Sequence, residues 1–281
     1  MPLIDPACLQ SGLGRHAGRF NVEALDECDS TSSELLRRAD RGAPVGTVIV
    51  ADRQSAGRGR RGRPWLSAPE ASLTFSLLWR FSGPPGRLAG LSLAVGVALA
   101  RSLEQLGAEG IRLKWPNDVL LERAGSFAKL AGILVELASD RRGTQAIIGI
   151  GLNLLPPVGD LSQPAAGLAQ AMNQMPERHA VLVAILRALA EVLEAFAVDG
   201  FSGAKMEWQQ RHAWQGLAVQ LLGDDAAPIE GICRGADDDG ALLLETGAGV
   251  QRILSGDVSL RSVPPGDLPR GANSPLGARR A

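Results

Sequence analysis

Apolar positions along this chain follow two rhythms: short continuous runs of strand length, and longer stretches with helical spacing. Thr47-Val48-Ile49-Val50-Ala51, the segment from Ser72 to Phe81 and the segment from Ala146 to Leu154 are largely aliphatic runs that predict buried strands. Gly149 and Gly151 in the last of these allow another group to approach the backbone closely. Ile111 to Leu121 reads as two short strands turning through Trp115-Pro116-Asn117-Asp118, whose Pro and Asn/Asp supply turn chemistry. A further strand is predicted from Ala128 to Leu137. Residues 87–106 place Leu88, Leu91, Val95, Leu99, Leu103 and Leu106 mostly three or four apart, which predicts one long core helix. Two more helices are predicted over 178–196 and 201–214. At Asp29-Ser30-Thr31-Ser32-Ser33-Glu34 a strand gives way to a helix, with Thr31 as cap and Glu34 reaching back to it. A helix N-terminus crowded with hydroxyls also offers free N–H groups to a small polar ligand, and the two roles are compatible.

After Gly216 the texture changes. Residues 218–222, 229–233, 241–245 and 250–254 are short apolar runs separated by Gly/Asp turns, the rhythm of a small all-β barrel. The sequence thus divides into a Gly/Pro/Ser-rich N-terminal arm (1–20), a large α+β domain (21–215), a small β domain (216–263) and a Pro/Gly-rich tail (264–281) expected to be disordered.

Charge is balanced overall. Among 281 residues, 29 Lys+Arg oppose 30 Asp+Glu for a formal charge of -1, so no global field recruits nucleic acid or an acidic membrane. Cys8, Cys28 and Cys233 form no C-x-x-C pair and suit reduced thiols in a cytoplasm. His16, His179 and His212 are dispersed, and no protein-ligated metal site is legible. No signal-peptide pattern opens the chain, and no uninterrupted apolar run has membrane-spanning length, so a soluble, cytoplasmic protein is expected.

Basicity is local. Gln54-Ser55-Ala56-Gly57-Arg58-Gly59-Arg60-Arg61-Gly62-Arg63-Pro64-Trp65 packs arginines and glycines between two predicted strands. Glycine lets backbone approach a ligand, and arginine offers a planar fork of donors to phosphate or carboxylate. Gly57 to Gly62 also fits G-x-G-x-x-G, but a dinucleotide fold needs a helix opening there, and Pro64 and Pro69 predict an irregular loop instead. A nucleic-acid patch and a solvated loop are the other readings of an isolated basic run. Lys114, beside Trp115 at a strand end, needs water or an anion. Alternation puts Lys129 on the face of Ile133, Val135 and Leu137, where an ammonium costs desolvation free energy unless something negative meets it; snorkelling to the sheet edge is the alternative. Asn153, at a strand end, is either a turn residue or a ligand contact.

In register, the blocks Asp-Ser-Thr before a helix, Gln-x-x-Gly-Arg-Gly-Arg-Arg-Gly-Arg-x-Trp, Lys-Trp-Pro-Asn-Asp, Lys-Leu-Ala-Gly-Ile-Leu-x-Glu and Gly-Ile-Gly-x-Asn closely resemble those of biotin-protein ligases, over roughly residues 25–262. The resemblance implies a mixed β-sheet flanked by helices, as in class II aminoacyl-tRNA synthetases, followed by an SH3-like β-barrel. It implies activation of biotin by ATP, with Mg2+, to biotinyl-5'-AMP, then transfer to a lysine of a biotin carboxyl carrier protein. By the same resemblance Ser30, Thr31 and Ser32 hydrogen-bond the ureido ring and Gln54 contacts biotin. Arg58, Gly59 and Arg60 hold biotin and phosphate groups, and Lys129 sits between carboxylate and α-phosphate, so Arg60 and Lys129 are the catalytic candidates. Trp65, Asn117 and Asn153 are nucleotide-pocket candidates, and Arg261 or its neighbours are candidates to reach nucleotide or acceptor.

This chain departs from the family pattern in two places. Relatives often carry Asn where Ser32 stands, and no aromatic residue lies between Leu152 and Phe196 to stack on adenine. No winged helix-turn-helix precedes the ligase blocks, so a ligase without repressor function or specific DNA binding is expected. Relatives include sheet-edge homodimers, and the same association is open here. Lipoate-type ligases share the sheet but lack the arginine block. A nucleic-acid-binding module, the reading from another class, is disfavoured by the balanced charge and by few aromatics suited to base stacking.

Overall fold

The computed structural model describes residues 2–159, 163–223, 228–254 and 258–262. Its main sheet contains β1 (Asn21–Cys28), β2 (Thr47–Gln54), β3 (Ser72–Phe81), β4 (Ile111–Lys114), β5 (Asp118–Arg123), β6 (Ser126–Asp140) and β7 (Gly143–Asn153), in the order β1-β2-β3-β7-β6-β5-β4. Only β1 and β2 run parallel, joined through α2 (Thr31–Asp40); the other pairs are antiparallel.

Side chains alternate across this sheet with period two, as the pleat requires. Val48, Val50, Phe75, Leu77, Ile148 and Ile150 enter the large core under α1 (Pro6–Leu13), α3 (Leu91–Gln105) and α4 (Arg178–Asp199). Ile49, Leu78 and Ile147 face the other way and pack with Leu35 of α2. Further along that second face the aliphatic side chains stop, and Thr74, Ser76, Gly149, Gly151 and Asn153 continue the alternation. Missing bulk on one face of an otherwise filled sheet creates a concavity.

Three expectations are corrected. The first twenty residues are not a loose arm. Asp5 caps α1 by accepting the Ala7 N–H at 2.9 Å, Pro6 suits its first turn, and Leu9 and Leu13 are buried where α1 meets α4. The helix expected over 87–106 begins at Leu91. Residues Pro85–Leu88 form a 3-10 turn, and Gly90 (φ 77°) breaks the path; a Cβ there would lie 2.6 Å from Phe201 Cβ. At α2 the cap position is Ser30, with Thr31 as the first helical residue; Glu34 pairs with Arg37 and Arg38 at 2.7 Å each rather than reaching back. Pro85–Gln105 is long and apolar enough by composition to cross a membrane, but most of it is buried in this core.

The C-terminal part contains β8 (Ala218–Gly223), β9 (Ile229–Ala236), β10 (Leu242–Thr246), β11 (Gly249–Ile253) and β12 (Val258–Ser262) in an antiparallel sheet ordered β11-β10-β9-β8-β12. The expected SH3-like barrel is not closed among the described residues: β12, absent from the sequence reading, takes the edge of β8, and β11 lies at the opposite edge. The expected disorder of 264–281 and the side chain of Arg261 lie outside the described residues.

α5 (Ser202–Arg211) leads into this sheet through His212, which is buried, stacks on Trp208 with centroids 4.4 Å apart, and has Nδ1 3.8 Å from Cys233 Sγ. Desolvation pushes the His212 pKa down to about 4, and burial pushes the Cys233 thiol up to about 11. At His212 the unfolded chain therefore binds a proton that the folded one refuses between about pH 4 and the ordinary histidine value of about 6.5. The stability involved is complete above an ordinary histidine pKa of about 6.5 and is lost as pH falls toward 4, by about 3 kcal/mol. Urea midpoints should fall from pH 7 to pH 4.5, and His212→Gln should flatten that slope. His16, also shifted down by desolvation, preserves part of it. An identical slope in the variant would refute the assignment.

Candidate active site

The concavity is a cleft of about 690 Å3, within the roughly 300–1,000 Å3 typical of small-molecule sites. Ser30, Thr31, Ser32, Gln54, Arg58, Gly59, Arg60, Trp65, Asn117, Lys129 and Asn153, every residue singled out above as a biotin or nucleotide contact except Arg261, line it. The fold thus gathers the end of β2, the start of α2, the arginine loop, the β4–β5 turn, the first half of β6 and the end of β7.

One end is neutral and rich in hydroxyls. Ser76 Oγ lies 2.8 Å from Thr31 Oγ1 and 3.0 Å from Ser32 Oγ, all three buried. The free N–H of Thr31 donates to Gln54 Oε1 at 2.8 Å, so a side-chain amide occupies one unsatisfied donor of the helix end. Gly149 makes room here, since a Cβ would stand 2.5 Å from Ser32 Oγ.

The other end is cationic. Arg58, Arg60, Arg61, Arg63, Lys114 and Lys129 line the cleft against a single carboxylate among the described residues, Asp118. Asp118 Oδ1 meets Lys129 Nζ at 2.7 Å and Oδ2 lies 3.8 Å from Lys114 Nζ, with Asp118 and Lys114 nearly buried. Lys114 also lies 5.2 Å from the Trp214 ring centroid. A carboxylate shared by two ammonium groups leaves positive charge in excess, which suits a polyanionic ligand.

Lys129 reaches this cleft by a route that simple alternation missed. A bulge opposite Val119 and Leu120 pairs Leu120 with Lys129 and Asp118 with Gly132, which shifts the phase of β6. Lys129 therefore shares a face with Gly132, where a Cβ would lie 3.3 Å from its Nζ, while Ile133 enters the opposite core. The expectation that Lys129 and Ile133 share a face is corrected accordingly.

The arginine loop closes on itself. Trp65 N–H donates to Gly57 O at 2.9 Å and Gly59 N–H to Arg63 O at 2.7 Å, and Arg61 and Gly62 take left-handed conformations at the tip. A 3-10 turn (Arg60–Gly62) and extended chain follow rather than a helix, as expected from the prolines. Arg58 is directed to Glu136, 2.7 Å away, and Arg60 to Asn117 Oδ1 at 3.4 Å. Trp65 lies across Gly132 and Gly151, cross-strand partners on β6 and β7; a Cβ on Gly151 would stand 2.3 Å from its ring. Lys129 Nζ is 5.6 Å from the Trp65 ring centroid, and the indole N–H has no partner among the described residues.

Two candidates carry structural duties. Asn153 donates to Ala166 O at 3.1 Å and Lys129 O at 3.4 Å, tying the 165–166 segment to β6. Asn117 donates to Ile133 O at 2.8 Å. Ser76, Asp118 and the Gly132–Gly151 pair were not recognised as site residues in the sequence. The replacement of aliphatic by Ser, Thr and Gly on alternate positions of two neighbouring strands was the signal available.

The family model "Biotin/lipoate A/B protein ligase family" matches residues 27–153, and "Biotin protein ligase C terminal domain" matches residues 216–261. The bifunctional ligase/repressor BirA of Escherichia coli is 36% identical over 245 residues, 86% of this chain and 74% of that protein. The biotin--[acetyl-CoA-carboxylase] ligase of Mycobacterium tuberculosis is 33% identical over 264 residues, 92% of this chain and 96% of its own length. Among solved structures, the Aquifex aeolicus biotin protein ligase in complex with biotin and ATP superposes with a TM-score of 0.72 at 32% identity, covering 86% of this chain and 99% of that one. With both family models matched and relatives of this identity covered over most of their length, the chain belongs to the biotin protein ligase family.

Proposed function

We propose that the cleft holds biotin with its ureido ring at the hydroxyl end and its carboxylate toward Lys129 and Arg60, where ATP meets it. The observation that carries this reading is the polarity of one continuous cavity, neutral donors and acceptors at one end and, among the described residues, six cations against one lining carboxylate at the other. The protein is an ATP-dependent biotin ligase. The biotin carboxylate attacks the α-phosphorus, a C–O–P anhydride forms and pyrophosphate leaves. A lysine amine of the acceptor then attacks the anhydride carbonyl, an amide forms, and AMP leaves while the amine loses its proton.

Lys129 and Arg60 offset the repulsion between carboxylate and phosphate and the charge that grows at phosphorus. Ser30, Thr31, Ser32 and Gln54 orient the ureido group, and Asn117, with Arg58, completes the nucleotide end. Asn153 props the segment carrying Lys129 instead of touching nucleotide, because its amide donors are engaged. Trp65 and the arginine loop cover the joined ligands and exclude water from the acyl-adenylate. Magnesium enters with ATP as part of that substrate, with Asp118 the lining carboxylate nearest in character to a ligand. The acceptor is a biotin carboxyl carrier protein of a biotin-dependent carboxylase, and the location cytoplasmic. The outer edge of β6 over residues 134–140 carries no strand among the described residues, and offers a sheet-edge homodimer its seam.

The family model at 27–153 covers lipoate ligases too, but the one at 216–261 is that of biotin protein ligases, which favours biotin. The test is exchange of labelled pyrophosphate into ATP. Biotin should support it and lipoate should not, and Arg60→Ala should abolish it with biotin while the fold is retained; exchange driven equally by lipoate would overturn the assignment. The loop, residues 55–66, should be cut by trypsin in the free protein and resist it with biotin and ATP. Equal cleavage in both states would remove its role as a cover.

A further inference from the structure

The motif residue Trp115 is wholly buried, although it borders the cleft together with the residues on either side of it. Its indole Nε1–H donates at 3.1 Å to Gly240 O, which belongs to the C-terminal sheet, 125 residues away in sequence. Gly240 closes the turn between β9 and β10. Asp237 fastens that turn: its Oδ1 accepts the N–H of Asp239 at 3.0 Å and of Ala241 at 2.9 Å. Arg252 of β11 grips the turn from outside, pairing with Asp237 and, at 2.9 Å, with Asp239 Oδ2.

The turn sits hard against the ligase domain. A Cβ on Gly240 (φ 78°) would lie 2.6 Å from Gly90 Cα, so two glycine backbones touch at the entrance of α3. From that same entrance Ser92 Oγ donates to Pro116 O at 2.9 Å. On the far side of the loop, Ile133 N–H donates to Asn117 O at 3.0 Å and Asn117 Nδ2 to Ile133 O at 2.8 Å. Residues 115–118 are therefore suspended between α3, β6 and the C-terminal sheet, and only the last of these attachments leaves the ligase domain.

We propose that the Trp115–Gly240 hydrogen bond is a latch through which the C-terminal sheet positions Asn117 and Asp118 for nucleotide, so that Trp115 is a positioning residue for ATP and not for biotin. The proposal rests on the reading of the cationic end as the nucleotide site. A buried carbonyl left without its donor is unfavourable, and the loop relaxes to recover a partner. Nucleotide binding must then restore the loop position, which weakens apparent affinity while leaving the bound complex able to react. The hydroxyl end, which orients the ureido ring, shares no hydrogen bond with this loop among the described residues, so the loop reaches biotin only through Lys129 and Arg60 at the carboxylate, and biotin affinity changes less than ATP affinity.

The experiment uses the full chain and steady-state pyrophosphate exchange. Trp115→Phe, which keeps a ring and removes the donor, should raise KM for ATP about fivefold, with KM for biotin and kcat within about twofold of wild type. Arg252→Ala, an exposed change that reaches the cleft only through the turn, should raise KM for ATP about twofold and add nothing further to Trp115→Phe, because both loosen one attachment. A purely structural role would lower kcat or raise both KM values together, and that result in either variant overturns the latch, as does an unchanged KM for ATP. If Trp115→Phe does not fold, Arg252→Ala decides alone by the same criterion. Absence of biotin-dependent exchange in the wild-type protein would instead overturn the functional reading beneath it.

Discussion

Lys129→Ala is expected to reduce biotin-dependent pyrophosphate exchange at least a hundredfold, on the order of 3 kcal/mol of transition-state stabilisation. Its ammonium is nearly enclosed, 2.7 Å from Asp118 and above the bare backbone of Gly132. In the free enzyme Asp118 balances it. When carboxylate and phosphate enter, Lys129 is the cation on the sheet floor that they meet, while the arginines approach from a loop. Removing it also leaves Asp118 with Lys114 alone, at 3.8 Å, so part of any loss could come from an uncompensated buried carboxylate. The double variant Lys129→Ala with Asp118→Asn separates the two. Recovery of exchange to within tenfold of wild type would assign the defect to Asp118 and remove Lys129 from the chemistry. Continued loss, with biotin affinity measured by titration calorimetry weakened less than exchange, assigns it to the transition state.

Much of this arrangement was legible because local composition and tertiary role agree. Two-sided burial wrote β2, β3 and β7 as aliphatic runs, and the arginine loop declared itself by glycines and prolines that neither helix nor strand would accept. What escaped was non-local. The bulge at Leu130 turns Lys129 to the other face, and nothing in Ala-Lys-Leu-Ala-Gly announces it, since the extra residue is defined only by the partner strand. The N-terminal helix is short, with Gly12 in its last turn and Gly14 after it, and Leu9 and Leu13 gain their meaning from α4, some 170 residues later. Asp118 looked like turn chemistry because its two lysine partners come from different strands. Closure of a barrel was an extrapolation from strand rhythm, which fixes how many strands exist better than which edges meet.

Gly151→Ala tests whether the Trp65 seat belongs to the working enzyme. Gly151 carries no unusual backbone angle and is paired on both sides, with Thr74 of β3 and Gly132 of β6, so alanine leaves the strand intact. The new methyl group would, however, stand 2.3–2.6 Å from three indole atoms, within the space the ring now fills. Trp65 must lift, and with it the loop whose base is tied by the hydrogen bond from Trp65 N–H to Gly57 O. An uncovered acyl-adenylate meets water, so ATP consumption should continue while its product is wasted. The expected result is a tenfold or greater rise in AMP released per biotinyl amide formed, accompanied by a smaller increase in KM for biotin. Trp65→Ala should show the same uncoupling, and combining the two should add little, because each removes one contact. Tight coupling in Gly151→Ala, with AMP and amide formed in equal amounts, would mean that the indole leaves this seat before chemistry and that another group closes the cleft.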